Sequence, residues 1–389
     1  MIIHIPPVPV QPFDIHPTFE SRLRVERRID RDFLSAVDDD RTDSLSRFRP
    51  GVTWKYGKHL SGDLQYQFAQ DAIWFAGANS GDNHSDLTLA NIKYKERGVE
   101  VTFGRQKISV GSERLIGPLE WSMTGRSFDG IRFKSGNWDL FAFKVGVAVP
   151  LPKGFRIAGA TFNSDLGLTS LIFKHDNNTT PETNHWTLSH WWRQKNGAWS
   201  FDVEAAIQSG RVAGKDLSAW AFHGNASYNF DKKLRAFVEF NAASGGGNAS
   251  NTYTFDNLLP TNHKFYGSMD LQSWRNMEEL SFGIEYQCNP KWTLKTTWHK
   301  FALRNATDAW YGAGGRPNVG ALGPFVDPTG SSGKDVGSEF NIELIFKQSA
   351  RVTLSAGIGV FAPGNFVKIE NGGTADTQYW GFAMAQFKY

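Results

Sequence analysis

The chain ends in Gln378-Tyr-Trp-Gly-Phe-Ala-Met-Ala-Gln-Phe-Lys-Tyr389, an alternating aromatic segment whose last residue is itself aromatic. In an extended strand successive side chains point to opposite sides. Tyr379, Gly381, Ala383, Ala385, Phe387 and Tyr389 therefore share one face. Such a face of small and aromatic residues suits the closing strand of a transmembrane barrel, turned to lipid. A terminal Phe or Tyr there resembles the C-terminal signal that bacterial barrel-assembly machinery reads. Soluble sandwiches also end on aromatic strands, so the rest of the chain has to decide between the two.

Composition excludes the helical route across a membrane. Mean hydropathy is −0.40, and the sequence has no apolar run of the roughly 18 residues that a spanning helix needs. Yet 14% of residues are aromatic, with 14 Trp and 30 Phe, as expected where aromatic girdles flank an apolar band. The 39 glycines fit many turns and a tapered wall. The single cysteine, Cys288, rules out an intrachain disulfide and a cysteine-based metal cluster, and no metal or other cofactor is expected. Met1-Ile-Ile-His-Ile-Pro-Pro lacks the charged start, apolar stretch and small-residue cleavage site of a secretory leader. Export needs one, so the chain reads as a mature form whose leader has been removed or replaced. Pro6 to Pro17 reads as an extended periplasmic lead-in. Residues 1–17 are thus an N-terminal segment and residues 18–389 the barrel domain. The lead-in is either a docking place for a periplasmic secretion partner or, more plainly, a loosely packed tail.

Period-two alternation recurs along the whole chain, for example over Gly62 to Asp71, Trp199 to Ser209, Glu279 to Gln287 and Arg351 to Phe361, and no helical period competes with it. The expected architecture is all-β, an antiparallel transmembrane barrel. Short connections such as Ser135-Gly-Asn137 and Gln348-Ser-Ala350 alternate with long ones such as Val110 to Gly125, Ser244 to Arg275 and Asn305 to Val336. Short periplasmic turns facing long extracellular loops are the barrel pattern. A first count gives about seventeen strands, which conflicts with the even number that closure requires. Up and down directions agree once Phe155 to Phe162 is a strand of its own, turning at Asn163-Ser-Asp165. That gives about eighteen strands, with about sixteen as the alternative.

Most segments have one apolar and one polar face, which predicts a wet interior. Inward candidates include Glu20, Glu26, Gln67, Asp71, Asp202, Glu204, His223, Arg235, Glu239, Glu279, Lys295, His299 and Glu339; Phe48, Leu64, Phe68, Ile207, Phe282, Ile284 and Phe340 would face lipid. A soluble sandwich would reverse the two faces. Strand length separates the cases, because many runs reach the roughly 9–11 residues needed to cross a tilted bilayer. Eighteen strands leave room for a channel. The net charge of +3 decides little. Local clusters say more: Arg22, Arg24, Arg47 and Arg49 fall on adjacent N-terminal strands, and Arg105, Arg114, Arg126 and Arg132 bracket one region. Guanidinium groups in a confined pore would draw anionic solutes. The plainer reading pairs them with Asp63, Glu20 and Asp129 as wall ladders.

Other functions find little support. His185 and His190 are five apart and face opposite sides of a strand, so they are poor partners for a metal or a triad. Gly333-Lys334 is followed by Asp335 where a phosphate loop needs Ser or Thr. Strand signals begin near Phe19, which leaves no room for the plug of an energised receptor. Basic residues are dispersed among acids, against nucleic-acid binding. The chain reads as a non-enzyme.

Several strings carry a family resemblance. Gly104-Arg-Gln106 is followed by Arg114-Leu-Ile-Gly117, Trp121 and Phe128-Asp-Gly130 with Arg132; later come Phe255-Asp-Asn-Leu-Leu-Pro-Thr-Asn-His-Lys-Phe-Tyr-Gly-Ser-Met-Asp270 and Glu278-Glu-Leu280. Together with Trp292 to Phe301 they resemble the alginate export family of outer-membrane porins, over most of the chain from near Arg22 to Tyr389. The resemblance implies a monomeric eighteen-strand barrel among outer-membrane lipids and lipopolysaccharide. It also implies an arginine-lined constriction that passes an anionic polysaccharide or small anionic solutes. By motif, Arg105, Arg114, Arg126, Asp129 and Arg132 become pore candidates, with Asp129 beside Arg132 as a wall pair in the plainer reading. His263, Lys264 and Tyr266 are candidates on the long loop, where the aromatics and Pro260 would equally form a packed cluster. One departure stands out: the connection at Gln348-Ser-Ala350 is too short for the periplasmic plug of the family's exporter.

Overall fold

The period-two segments form eighteen antiparallel strands in the computed structural model, which describes residues 12–70, 84–147 and 155–389. They are β1 (Phe13–Ile29), β2 (Arg41–Tyr56), β3 (Leu60–Gln70), β4 (His84–Glu96), β5 (Val99–Gln106), β6 (Ser127–Ser135), β7 (Trp138–Val147), β8 (Arg156–Ser164) and β9 (Gly167–Asp176). The second half comprises β10 (Thr183–Asn196), β11 (Trp199–Val212), β12 (Lys215–Asn229), β13 (Leu234–Ala243), β14 (Met277–Gln287), β15 (Trp292–Leu303), β16 (Asp335–Lys347), β17 (Val352–Pro363) and β18 (Gln378–Lys388). Each pairs with its sequence neighbour, and β18 returns to β1 in the register Glu20↔Lys388 to Ile29↔Tyr379. The terminal residue completes the seam: Tyr389 N donates to Phe19 O at 2.8 Å and Phe19 N to Tyr389 O at 3.1 Å. Closure leaves no unpaired edge, the condition for strands to cross lipid. No helix among the described residues is long and apolar enough to span a membrane.

The parity argument holds where it was needed. β8 is a separate strand that turns through residues 165–166 into β9. β1 starts at Phe13, so residues 13–17 of the expected lead-in pair with β2. Residues 1–11 and Asp71 lie outside the described residues. One rim carries only short turns, including residues 348–351, and the other carries the long connections 107–126, 244–276, 304–334 and 364–377; residues 213–214 are a tight exception there. The long-loop rim is extracellular by the usual barrel asymmetry.

Side-chain direction follows the expected alternation. Phe48, Leu64, Phe68, Ile207, Phe282, Ile284 and Phe340 are exposed on the outside, while Arg47, Arg49, Gln67, Glu204, His223, Glu279 and Glu339 are buried within. The uniformly wet interior is corrected. Phe141 and Phe143 of β7, Ile157 of β8, Ile172 of β9 and Leu217 of β12 also point inward, where they pack against Ile108, Leu115, Ile116, Phe255, Leu259 and Trp274 from two long loops. A second apolar cluster joins Phe33, Trp310, Phe325, Phe361, Phe366 and Trp380. The extracellular half of the lumen is therefore filled by its own loops, because strands apolar on both faces give those loops a dry seat.

Candidate functional site in the lumen

The β5–β6 loop (107–126) and the β13–β14 loop (244–276) fold into the barrel and join. Leu259 N donates to Leu115 O at 2.8 Å, Gly117 N to Leu259 O at 2.9 Å and Thr261 N to Glu113 O at 3.0 Å. The approach is so close that a Cβ on Gly117 would sit 2.2 Å from Thr261 Oγ1. Arg126 staples the junction, its Nη1 donating to Gly117 O at 2.9 Å, to Pro260 O at 3.2 Å and to Leu259 O. The two loops form a diaphragm across the lumen.

The N-terminal arginine ladder holds that diaphragm. Arg47 donates to Ser122 O at 3.2 Å and pairs with Glu20. Arg49 pairs with Glu120 at 2.9 Å and donates to Gln67 Oε1 at 2.6 Å and Thr124 O at 3.3 Å. Both are 0% exposed. Arg22 and Arg24 reach the Trp121 carbonyl at 3.2 and 3.0 Å, and the Arg24 guanidinium lies 4.1 Å over the Trp121 ring. Trp121 stacks in turn on His263 at 3.8 Å. Lys107 completes the knot at 2.6 Å from Glu120. Burial works to raise the Glu120 pKa, but Lys107, Arg49 and Arg47 outweigh it and hold this carboxyl well below the usual range.

The longer loop has its own anchors. Asp256 takes Lys174 of β9 at 2.6 Å and His185 of β10 at 3.0 Å. Burial opposes its ionisation, yet these two partners keep its pKa well below the ordinary value. Met269 N donates to Glu339 Oε1 of β16 at 3.0 Å, and Arg28 of β1 donates to Met269 O at 2.7 Å.

The remaining candidates separate into three environments. Arg114 faces the lumen beside Glu239 at 2.9 Å, stacked 4.0 Å over Phe265 and only 2% exposed. Arg132 forms an inward wall pair with Asp139, and not with Asp129 as expected. Arg105 and Asp129 are corrected as pore residues. Asp129 shares its strand face with the exposed Ile131 and Phe133, and it binds Arg105 at 2.7 and 3.0 Å on the outer surface. The wall-pair partner expected from Asp63 is not seen among the described ion pairs. On the loop, Tyr266 is fully buried, and burial drives its phenol well above its ordinary pKa. His263 is held by Asp270 at 3.0 Å. Lys264 alone of the three projects, 55% exposed, with Glu113 at 3.5 Å as its ion-pair partner.

Two cavities meet at Lys264. One of about 730 Å³ is lined by Trp191, Arg193, Lys195, Asp202 and His223. The other, about 550 Å³, is lined by Arg22, Glu120, His263, Glu285, Lys295 and Glu343. Both share Arg235, Phe237, Glu239, Lys264 and Phe265. The accessible cations that line these two cavities include Lys264, Arg235, Lys295, Arg193 and Lys195. Arg235 and Lys295 are inward by strand parity, as expected, and Lys264 is the loop candidate; Arg193 and Lys195 share the inward face of β10 with His185 but are absent from the expected set.

A closed eighteen-strand barrel with inward loops defines the class, an outer-membrane β-barrel of the porin type. The chain belongs to the alginate export family, whose model matches residues 16–148 and 165–381. Solved structures of Pseudomonas aeruginosa porins share the fold. OccK11 (OpdR) aligns with TM-score 0.64 at 12% identity, covering 96% of this chain and 95% of that one. OpdQ aligns with TM-score 0.65 at 13% identity over 97% and 99%. OccK2 (OpdF) in complex with glucuronate aligns with TM-score 0.62 at 12% identity over 96% and 98%. No curated protein sequence matches the chain.

Proposed function

We propose that the protein is an outer-membrane channel for anionic saccharides, with a uronate-bearing polymer as its cargo. The observation that carries this reading is the junction of the two cavities, where Lys264 and Arg235 stand beside Phe265, Phe237 and Glu239. Cations draw a carboxylate in, aromatic faces suit the apolar face of a sugar ring, and an interspersed acid keeps each contact weak enough for movement. Membership of the alginate export family and the glucuronate complex of a fold neighbour point to the same chemistry. The N-terminal arginines support the path indirectly, by fixing the loop that bears Glu120 and Trp121.

A second reading, uptake of small anionic solutes, is favoured by the firm packing of the diaphragm, which leaves spaces sized for one or two sugars and not for a broad polymer. Planar-bilayer conductance distinguishes the two. Anion-selective reversal potentials with block by polyuronate from one side, weakened in Lys264→Ala with Arg235→Ala, support polymer passage. Block by glucuronate alone supports uptake, and an unselective channel indifferent to both would overturn the proposal.

A further inference from the structure

We propose that the outer surface of the barrel, at its long-loop rim, holds the phosphate headgroup of an outer-leaflet lipid between Lys144 of β7 and Arg156 of β8. The two residues are direct cross-strand partners. Each alternates with a buried inward residue, Phe143 and Ile157, so both point out of the barrel. Like charges placed directly opposite each other destabilise a strand pair, and among the described residues no carboxylate forms an ion pair with either of these two. Asp129 lies next to Lys144 in register, but both its oxygens are engaged by Arg105. His175, next to Arg156, is hydrogen-bonded to Asn184 Oδ1 at 2.6 Å. Neither Lys144 nor Arg156 forms an ion pair among the described residues, and residues 148–154 contain no acid.

The surroundings specify the anion. A groove of about 450 Å³ beside the two cations is lined by Ala142, Phe143, Ile157, Ala158 and Phe173, together with His175. Leu140, Leu171, Trp186 and Leu188 continue the exposed apolar surface of these strands. A free phosphate would use only the cations. An amphiphile uses the whole site, with its phosphate between a guanidinium fork and an ammonium and its acyl chains along the strand face. The position at the extracellular ends of β7 and β8 matches the depth of an outer-leaflet headgroup.

The test uses the full barrel in detergent, with bisphosphorylated lipid A, its dephosphorylated counterpart and inorganic phosphate as probes in native mass spectrometry. The expected result is retention of the phosphorylated lipid, about tenfold weaker retention of the dephosphorylated one, and no displacement by inorganic phosphate. Lys144→Gln with Arg156→Gln should lower retention to a similar extent, whereas Arg351→Gln at the opposite rim should leave it unchanged; heat-modifiable migration on gels checks that each variant is folded. Equal retention of the two lipids, a folded double variant that binds as well as the parent, or displacement by inorganic phosphate would each overturn the proposal.

Discussion

Replacing Arg126 by Met should loosen the diaphragm without unfolding the barrel. Arg126 precedes β6 and gives its hydrogen bonds to the carbonyls of Gly117, Leu259 and Pro260. The Leu259 carbonyl keeps a second donor, Gly117 N at 2.9 Å, so two acceptors lose theirs, the buried Gly117 carbonyl and the part-buried Pro260 carbonyl. At about 1–3 kcal/mol for each unsatisfied group, the gross loss is about 2–6 kcal/mol. Met fills much of the same volume and removes the desolvation that the guanidinium bears, which leaves about 2–3 kcal/mol. Local opening of the loop junction should then rise about 30- to 150-fold. Hydrogen exchange read by mass spectrometry on peptides covering 113–118 and 258–262 should accelerate by that factor, while peptides of β14 and β15 stay slow. Single-channel records should gain flicker between conductance levels. Parent-like exchange at the junction would refute the assignment of Arg126 as the staple.

Lys264→Glu should move the reversal potential in a salt gradient toward cations, because it inverts the most exposed charge where the two cavities meet; an unmoved potential would place the selectivity elsewhere. Glu120 and Asp256 titrate below their unfolded values of 4.5 and 3.8, so their pairs steady the loops fully above that range and release them as pH falls beneath it. Conductance noise should therefore increase below about pH 4 and remain flat from neutrality down to that point; a change centred near neutrality would assign the pH response to other groups. Phe282→Arg on the lipid face of β14 should cost about 2–4 kcal/mol in unfolding from lipid vesicles, falling toward zero if that position lies near an interface.

The wall was legible because two constraints act on every residue of it. Alternation gives the side-chain face and closure gives the parity, and together they separate β8 from β9 although both are short. The diaphragm was not legible for a reason visible in β7. Phe141 and Phe143 point inward beside outward Leu140 and Ala142, so the strand has no polar face to mark the lumen. Such two-faced strands can be read as membrane wall or as a loop seat equally well, and only the contact with Ile116 and Leu259 decides. Phe255 to Asp270 carried the needed signal in its cluster of apolar residues around Pro260. Its packing reading extends to Tyr266, while Lys264, two positions earlier, turns to the cavity.

Arg105 and Asp129 failed as pore residues through parity alone. Asp129 lies on the same face as Ile131 and Phe133, and a strand cannot turn one of these inward without the others. The N-terminal ladder raises a different point about arginine. A guanidinium has five donors in a fixed fork and suits carbonyls and carboxylates offered together. Four of them on adjacent strands can therefore satisfy a loop segment as dense in acceptors as Glu120 to Thr124, and once they do so they are withdrawn from solute. A lysine has a flexible stem and one compact charge, so it is less readily immobilised by a carbonyl array and remains at the cavity surface, as Lys264 does. Dense arginine on neighbouring inward strands of such a barrel thus marks where a loop docks, and scattered lysine opposite acidic and aromatic side chains marks the cationic surface left open to the lumen.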